Sequence, residues 1–176
     1  QRVKLNSVIL RGVNEDESLD LVRFAMDRGM DISFIEEMPL GLIGDHNRAE
    51  AYYSSDDILA QLRRRYELMA TTETSPGPSR YYRVADRRSR IGFISPHSHN
   101  FCEHCNRVRL TPTGRLLLCL GQEHSIDLRQ MLRDPGCDDA SLRAALIDSM
   151  AIKPKGHDFD LDAQPAVLRY MNFTGG

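Results

Sequence analysis

Three cysteines constrain this chain more than any other feature. Cys102 and Cys105 stand three residues apart, and Cys119 follows fourteen residues after Cys105. Thiolates at this spacing suit zinc or an iron–sulfur cluster, both of which favour sulfur donors. A closed zinc site wants a fourth ligand, and His97, His99, His104, His124 and Cys137 are all near enough in sequence to be candidates. A cubane cluster held by three cysteines instead leaves one iron free to bind something else. The spacing leaves the two metals equally open. Between the thiols lie Arg107 and Arg109, followed by a Pro112-Thr113-Gly114 turn. On a strand the two arginines share one face, and Val108 and Leu110 take the other. Guanidinium groups hold phosphate in a fixed, often bidentate geometry, so this pair is placed for an anion such as a nucleotide. Cys137 follows the helix-breaking Pro135-Gly136 and reads as an ordinary thiol.

The chain around the thiols divides into two parts. Residues 3–10 carry apolar side chains at 3, 5, 8, 9 and 10 and predict a strand buried on much of both faces. Asn14 and Glu17 make a capping-box start to a helix in which Leu19, Val22, Ala25 and Met26 recur at helical spacing, with Gly29 as its stop. Residues 31–38 predict a second strand, ended by Pro39. Strand, helix and strand make a βαβ unit with parallel strands, which implies a larger sheet or barrel. The polar, glycine-containing stretch 41–50 places a boundary that divides the chain into residues 1–43 and 44–176. Beyond it, Ser54 or Ser55 starts a helix with Ile58, Leu59 and Leu62 on its buried face. Residues 71–79 read as a loop, and 80–84 with 90–95 as an antiparallel hairpin. A second hairpin is expected from 107–111 and 115–120, then a helix capped by Ser125 and another over 141–150. The second part is therefore an α+β domain with antiparallel strands and flanking helices.

Composition excludes several function classes. A net charge of −2 gives no electrostatic case for nucleic acid, and the Arg63-Arg64-Arg65 run reads as a solvated helix face. No apolar run reaches the ~18 residues a membrane span needs, and no secretory leader is visible. Cysteines clustered at ligand spacing suggest metal chemistry in a reducing, cytoplasmic setting rather than a disulfide framework. The chain begins at Gln1 and runs almost at once into a strand, as expected of a fragment or processed product.

The string Phe-Cys-x-x-Cys-Asn-Arg-x-Arg-Leu-Thr-x-x-Gly-x-Leu-x-x-Cys-Leu, from Phe101 to Leu120, resembles the C-terminal cluster motif of the molybdenum cofactor biosynthesis protein A family. These are radical S-adenosylmethionine enzymes with GTP 3',8-cyclase activity. Further matches run along the chain: Val3-Lys4-Leu5-Asn6, Arg11-Gly12-Val13-Asn14, Phe34-Ile35-Glu36 with Met38-Pro39, Lys153-Pro154 with His157, and the final Gly-Gly. The resemblance implies that residues 1–43 are the last β/α elements of an incomplete TIM-like barrel. It also implies that Cys102, Cys105 and Cys119 hold a [4Fe–4S] cluster whose open iron meets the guanine of GTP. Arg107, Val108 and Arg109 would then contact GTP, Lys4 its triphosphate, and Met38 S-adenosylmethionine. Gly175 and Gly176 would reach back into the active site, and the full protein would tend toward a homodimer.

Two departures from the family pattern stand out. The Cys-x-x-x-Cys-x-x-Cys motif that holds the radical-generating cluster is absent from these residues, so this chain alone is expected to be inactive. Ser33 occupies a position where many relatives carry arginine, and it cannot supply that charge. A zinc-binding interaction module without chemistry is the alternative from a different class. Roles for Lys153 and His157 do not follow from the sequence.

Overall fold

Strand β1 (Lys4–Val8) lies parallel to β2 (Asp31–Ile35), Lys4 opposite Asp31 and Val8 opposite Ile35, in a computed structural model that describes residues 2–42, 44–75, 77–165 and 167–174. Helix α1 (Ser18–Asp27) makes the crossover between them and buries Val22 and Ala25. Its start differs from the expected capping box. Asn14 accepts a hydrogen bond from Leu10 N through Oδ1 (2.8 Å) and donates Nδ2 to Val8 O (3.1 Å). With its side chain spent on closing the strand end, the chain enters α1 through a 3-10 turn, Glu15–Glu17. Gly29 ends the helix with a φ of +64°, a conformation glycine adopts without strain.

After β2 come α2 (Arg48–Ala51) and α3 (Ser55–Arg63), capped by Asn47 and Ser54. Strands β3 (Leu68–Ala70), β4 (Arg80–Val84) and β5 (Arg90–Ile94) follow. The sheet order is β1-β2-β5-β4-β3, with β1, β2 and β5 parallel and the remaining neighbours antiparallel. The expected 80–94 hairpin is present, but it belongs to the same sheet as the βαβ unit because β5 pairs with β2. Among the described residues this sheet is open, with β1 and β3 at its edges. The edge position explains why β1 alternates between exposed and half-buried residues instead of being covered on both faces.

Period-two alternation gives this sheet two different faces. Ile32, Phe34, Ile91 and Phe93 point to one side and pack with Val22, Ala25, Ile58, Leu59 and Leu62 of α1 and α3. On the other face Asp31, Ser33 and Gly92, with Tyr81 of β4 opposite Gly92, are polar or small. Asp31 is fully buried there and is met by Arg90 through Nη2 (2.6 Å), Nε (2.9 Å) and the backbone N–H (2.8 Å).

Contacts divide the chain into two compact units, Gln1–Glu37 with His46–Phe101, and Met38–Asp45 with Cys102–Gly176. These limits differ from a single cut after residue 43, since strands on both sides of that point share one sheet. The second unit holds an antiparallel sheet of β6 (Arg109–Leu110), β7 (Arg115–Leu117) and β8 (Ser125–Asp127), then α4 (Leu128–Arg133) and α5 (Asp139–Ser149). Ser125 is thus a strand residue. The cap of α4 is Asp127, whose Oδ1 accepts from Gln130 N at 2.9 Å.

Glu36, at the end of β2, holds together the elements around it. Its side chain is fully buried. Oε1 accepts from Ser55 N (2.9 Å) and from the Ser98 hydroxyl, and Oε2 from His97 N (2.9 Å) and Ser98 N (3.0 Å). Burial alone would push this carboxyl up; the donors of Ser98, Ser55 and His97 outweigh it and hold its pKa below the ordinary value.

Two outcomes are expected. A depressed folded-state pKa gives stability that is present above the unfolded carboxyl's value, ~4.3, and is lost as pH falls through the folded one. Glu36→Gln should therefore be less stable at pH 7 and should lose less stability between pH 6 and pH 3 than the parent, measured by urea unfolding; parallel pH profiles would exclude a charged Glu36. At Gly92 an added Cβ would meet the Ser33 hydroxyl and lie 2.9 Å from both Ser79 Oγ and Tyr81 Cε1. Gly92→Ala should cost roughly 1–3 kcal/mol of stability, as overpacking does, and an unchanged urea midpoint would contradict that close approach.

Candidate functional site

The thiol loop opens with a 3-10 turn, Cys102–His104, closed by a hydrogen bond from Cys105 N to Cys102 O of 3.0 Å. Cys119 comes just after β7, beyond the fully buried Leu118. All four cysteines are reduced thiols and partly buried. Burial pushes the Cys105 thiol up, but the Arg107 backbone N–H and the charges of Lys153 and Arg107 outweigh it, so its pKa lies below the ordinary value. The thiolate is the form that ligates metal, so this environment favours a ligand role.

The segment between the thiols has its alternation inverted. Val108 and Leu110 are exposed, at 40% and 60%, while Arg107 and Arg109 are half-buried. A surface strand normally turns its apolar residues inward. Here the cations take that side. Burial and the neighbouring charge of Arg107 lower the Arg109 pKa, Cys105 and Cys119 act in the opposite direction, and Arg169 adds to the lowering. A guanidinium stays charged in any protein environment. Arg107, Arg109, Lys153 and Arg169 therefore form a cationic surround to Cys105 and Cys119 in one unit. Among the described residues, no group of three or more His, Cys, Asp or Glu side chains is gathered to hold a metal ion. Of the histidines near the motif, His97 is bound to Glu37 O (2.8 Å) and His99 to the Asp56 carboxylate (3.0 Å).

Lys4 lies on the polar face of the first unit's sheet. Its Nζ donates to Tyr81 OH (3.1 Å) and Ser79 Oγ (3.4 Å) and stands 5.4 Å from the centre of the Tyr81 ring. Tyr81 OH donates in turn to Ser75 Oγ (3.1 Å), and Ser33 Oγ lies 2.9 Å from Ser79 Oγ. Burial raises the Tyr81 phenol, but its hydrogen bonds to Ser75, Lys4 and Ser79 and the Lys4 charge bring it below its ordinary value. Ser33 thus leads into a chain of hydroxyls ending on a lysine. Sequence reasoning missed Ser79 and Tyr81; the alternation of β4, which sends Tyr82 into the core and Tyr81 to the opposite face, was the available signal.

The other expected residues fall in separate places. Met38 is half-buried just after β2, its carbonyl accepting from Leu40 N at 2.7 Å. Cys137 sits in the turn between α4 and α5, apart from the motif. His157 stacks on Phe159 with ring centres 3.9 Å apart. Gly175 and Gly176 lie outside the described residues. No helix among the described residues is long and apolar enough to cross a membrane.

Comparison with known proteins gives this geometry a family. A family model described as Molybdenum Cofactor Synthesis C matches residues 30–159. Curated relatives from Pseudomonas entomophila (strain L48) and Pseudomonas putida (strain W619), both called GTP 3',8-cyclase, are 56% identical over 177 residues, covering 100% of this chain and 53% of their own length. One from Saccharophagus degradans, with the same name, is 54% identical over 176 residues with the same coverage. The chain spans about half the length of the curated relatives it matches. With the family match extending over most of its length and including the whole thiol motif, the chain belongs to the Molybdenum Cofactor Synthesis C family.

Proposed function

We propose that this chain is the C-terminal part of a GTP 3',8-cyclase, carrying a substrate-side [4Fe–4S] site and part of the site for GTP. The observation that carries the reading is the inverted burial of the segment entering β6, where Arg107 and Arg109 are half-buried and Val108 and Leu110 exposed, with Arg107 beside Cys105 and Arg109 under the influence of Cys105 and Cys119. Desolvating two cations beside two thiols is costly unless anions meet them. Thiolates and a nucleotide phosphate are the anions that suit this arrangement. Cys102, Cys105 and Cys119 would be the cluster ligands. When bound, the cluster would supply an iron with an open position for the guanine.

The protein's own residues do the positioning. Arg107 and Arg109 would orient the triphosphate by charge-assisted hydrogen bonds, with Val108 offering main-chain groups between them. Lys4, held by Tyr81 and Ser79, would be a phosphate contact, as the family resemblance implies. Ser33 supplies no charge, so phosphate on this face would be held by Lys4. Met38 would lie against S-adenosylmethionine, residues 1–43 would be the closing β/α elements of a barrel, and residues 44–176 the cluster-bearing domain. Gly175 and Gly176 would complete the substrate side. Identity to enzymes named for this activity supports the assignment. A cytoplasmic setting, GTP as partner without nucleic acid or membrane, and a homodimeric whole protein complete the reading; the net charge of −2 gives no electrostatic case for nucleic acid.

Anaerobic reconstitution with iron and sulfide should load ~4 irons per chain, as a cubane requires, with a spectroscopic signal that shifts on adding GTP. The Arg107→Ala, Arg109→Ala double variant should keep its iron and bind GTP at least ~100-fold more weakly, the cost of two lost charge-assisted contacts. Stoichiometric zinc, no iron and no response to GTP would overturn the reading.

A further inference from the structure

Residues 118–124, which include Cys119, form the loop between β7 and β8. Several of its carbonyls are met from far along the chain. Lys153 Nζ donates to Leu118 O (2.6 Å) and Arg107 O (3.1 Å), one carbonyl on each side of the thiol hairpin. Arg169 Nη2 donates to Cys119 O (3.3 Å), Leu120 O (3.1 Å) and Gln122 O (2.7 Å), and Nη1 is ion-paired with Glu123. The loop answers in kind, Gln122 Nε2 donating to Gly156 O (3.1 Å) and Asp158 Oδ2 (2.9 Å). Gly121 is pressed against the stacked His157 and Phe159, where a Cβ would come within 2.6 Å of Phe159 Cε1 and 2.9 Å of His157 Cβ.

These contacts make Lys153, residues 156–159 and Arg169 a strap on the loop. Two of its groups are cations beside thiols that repel one another as thiolates. Arg169 also keeps Nε and Nη1 buried with no hydrogen-bond partner among the described residues, Nη1 having only its ion pair with Glu123. A planar guanidinium whose Nη2 meets the carbonyls of Cys119, Leu120 and Gln122 while Nη1 pairs with Glu123 fixes a backbone in a way one ammonium cannot.

We propose that Lys153 and Arg169 are positioning residues for the third cluster ligand: they hold the 118–122 backbone so that Cys119 stands at a fixed distance from Cys105, and they place positive charge behind the bound thiolates. The proposal rests on the iron–sulfur reading above, yet the loop-holding part is measurable without metal. Outer contacts that orient metal ligands typically change affinity ~10–100-fold when removed.

The test compares the parent chain with Lys153→Met, Lys153→Arg and Arg169→Lys, the last keeping the charge while losing the fork. In the anaerobically reconstituted proteins, Lys153→Met and Arg169→Lys should release iron to a ferrous chelator ~10-fold faster. Lys153→Arg should lie close to the parent, and thermal midpoints should agree. In the metal-free chains, amide hydrogen exchange at residues 118–122 should speed up ~10-fold in the same two variants, the loss expected for a charge-assisted hydrogen bond. Parent-like exchange and iron release in both variants would overturn the proposal. If the parent takes up no iron but the variants still loosen the loop, the iron–sulfur reading fails and the strap stands as a support of the loop.

Discussion

Glu36 is fully buried and still holds its carboxyl below the ordinary pKa, because donors from Ser55, His97 and Ser98 surround it. The same requirement, that charge taken out of water be met by hydrogen bonds or opposite charge, recurs through the protein. In the first unit it joins Asp31 to Arg90 under the sheet and ties the start of α3 and the turn at 97–98 to the end of β2. Met38 comes two residues after Glu36, so the main chain enters that residue from a fixed anchor.

In the second unit the same rule concerns cations. Arg107 and Arg109 are turned in while Val108 and Leu110 face water, an arrangement that would lower stability in a strand with only a structural duty. Cys105 and Cys119 partly compensate it, and Lys153 and Arg169 satisfy loop carbonyls from the same side as their charge. A local rule broken with its compensation near at hand is a stronger signal than three cysteines alone. Alternate positions put both arginines on one side of the extended segment leading into β6, which is why both are half-buried while Val108 and Leu110 are exposed.

Much of the first unit was legible because its signals are local. Helical spacing of Leu19, Val22, Ala25 and Met26, the stop at Gly29 and the apolar run of β2 gave the βαβ unit, and the 80–94 hairpin followed from its turn. Short elements were not legible. Strands β3 and β8 have three residues each and exist through pairing with β4 and β7, which a short window of sequence does not contain. Asn14 and Ser125 were misread for a related reason. Each can cap a helix, and a competing partner or strand pairing took it elsewhere.

What the sequence determined by itself was the chemical inventory and its spacing: three thiols, two arginines two residues apart and a glycine turn, all within a window that local geometry governs. It also determined which residues alternate together on each strand. Only the tertiary structure decided which of the two faces turned inward, since that depends on what packs against the strand. It alone brought Lys153 to Leu118, 35 residues away, and Arg169 to Cys119, 50 residues away. Contacts of that range leave no periodicity to read, because they are set by how the chain folds back and not by the neighbours of either residue.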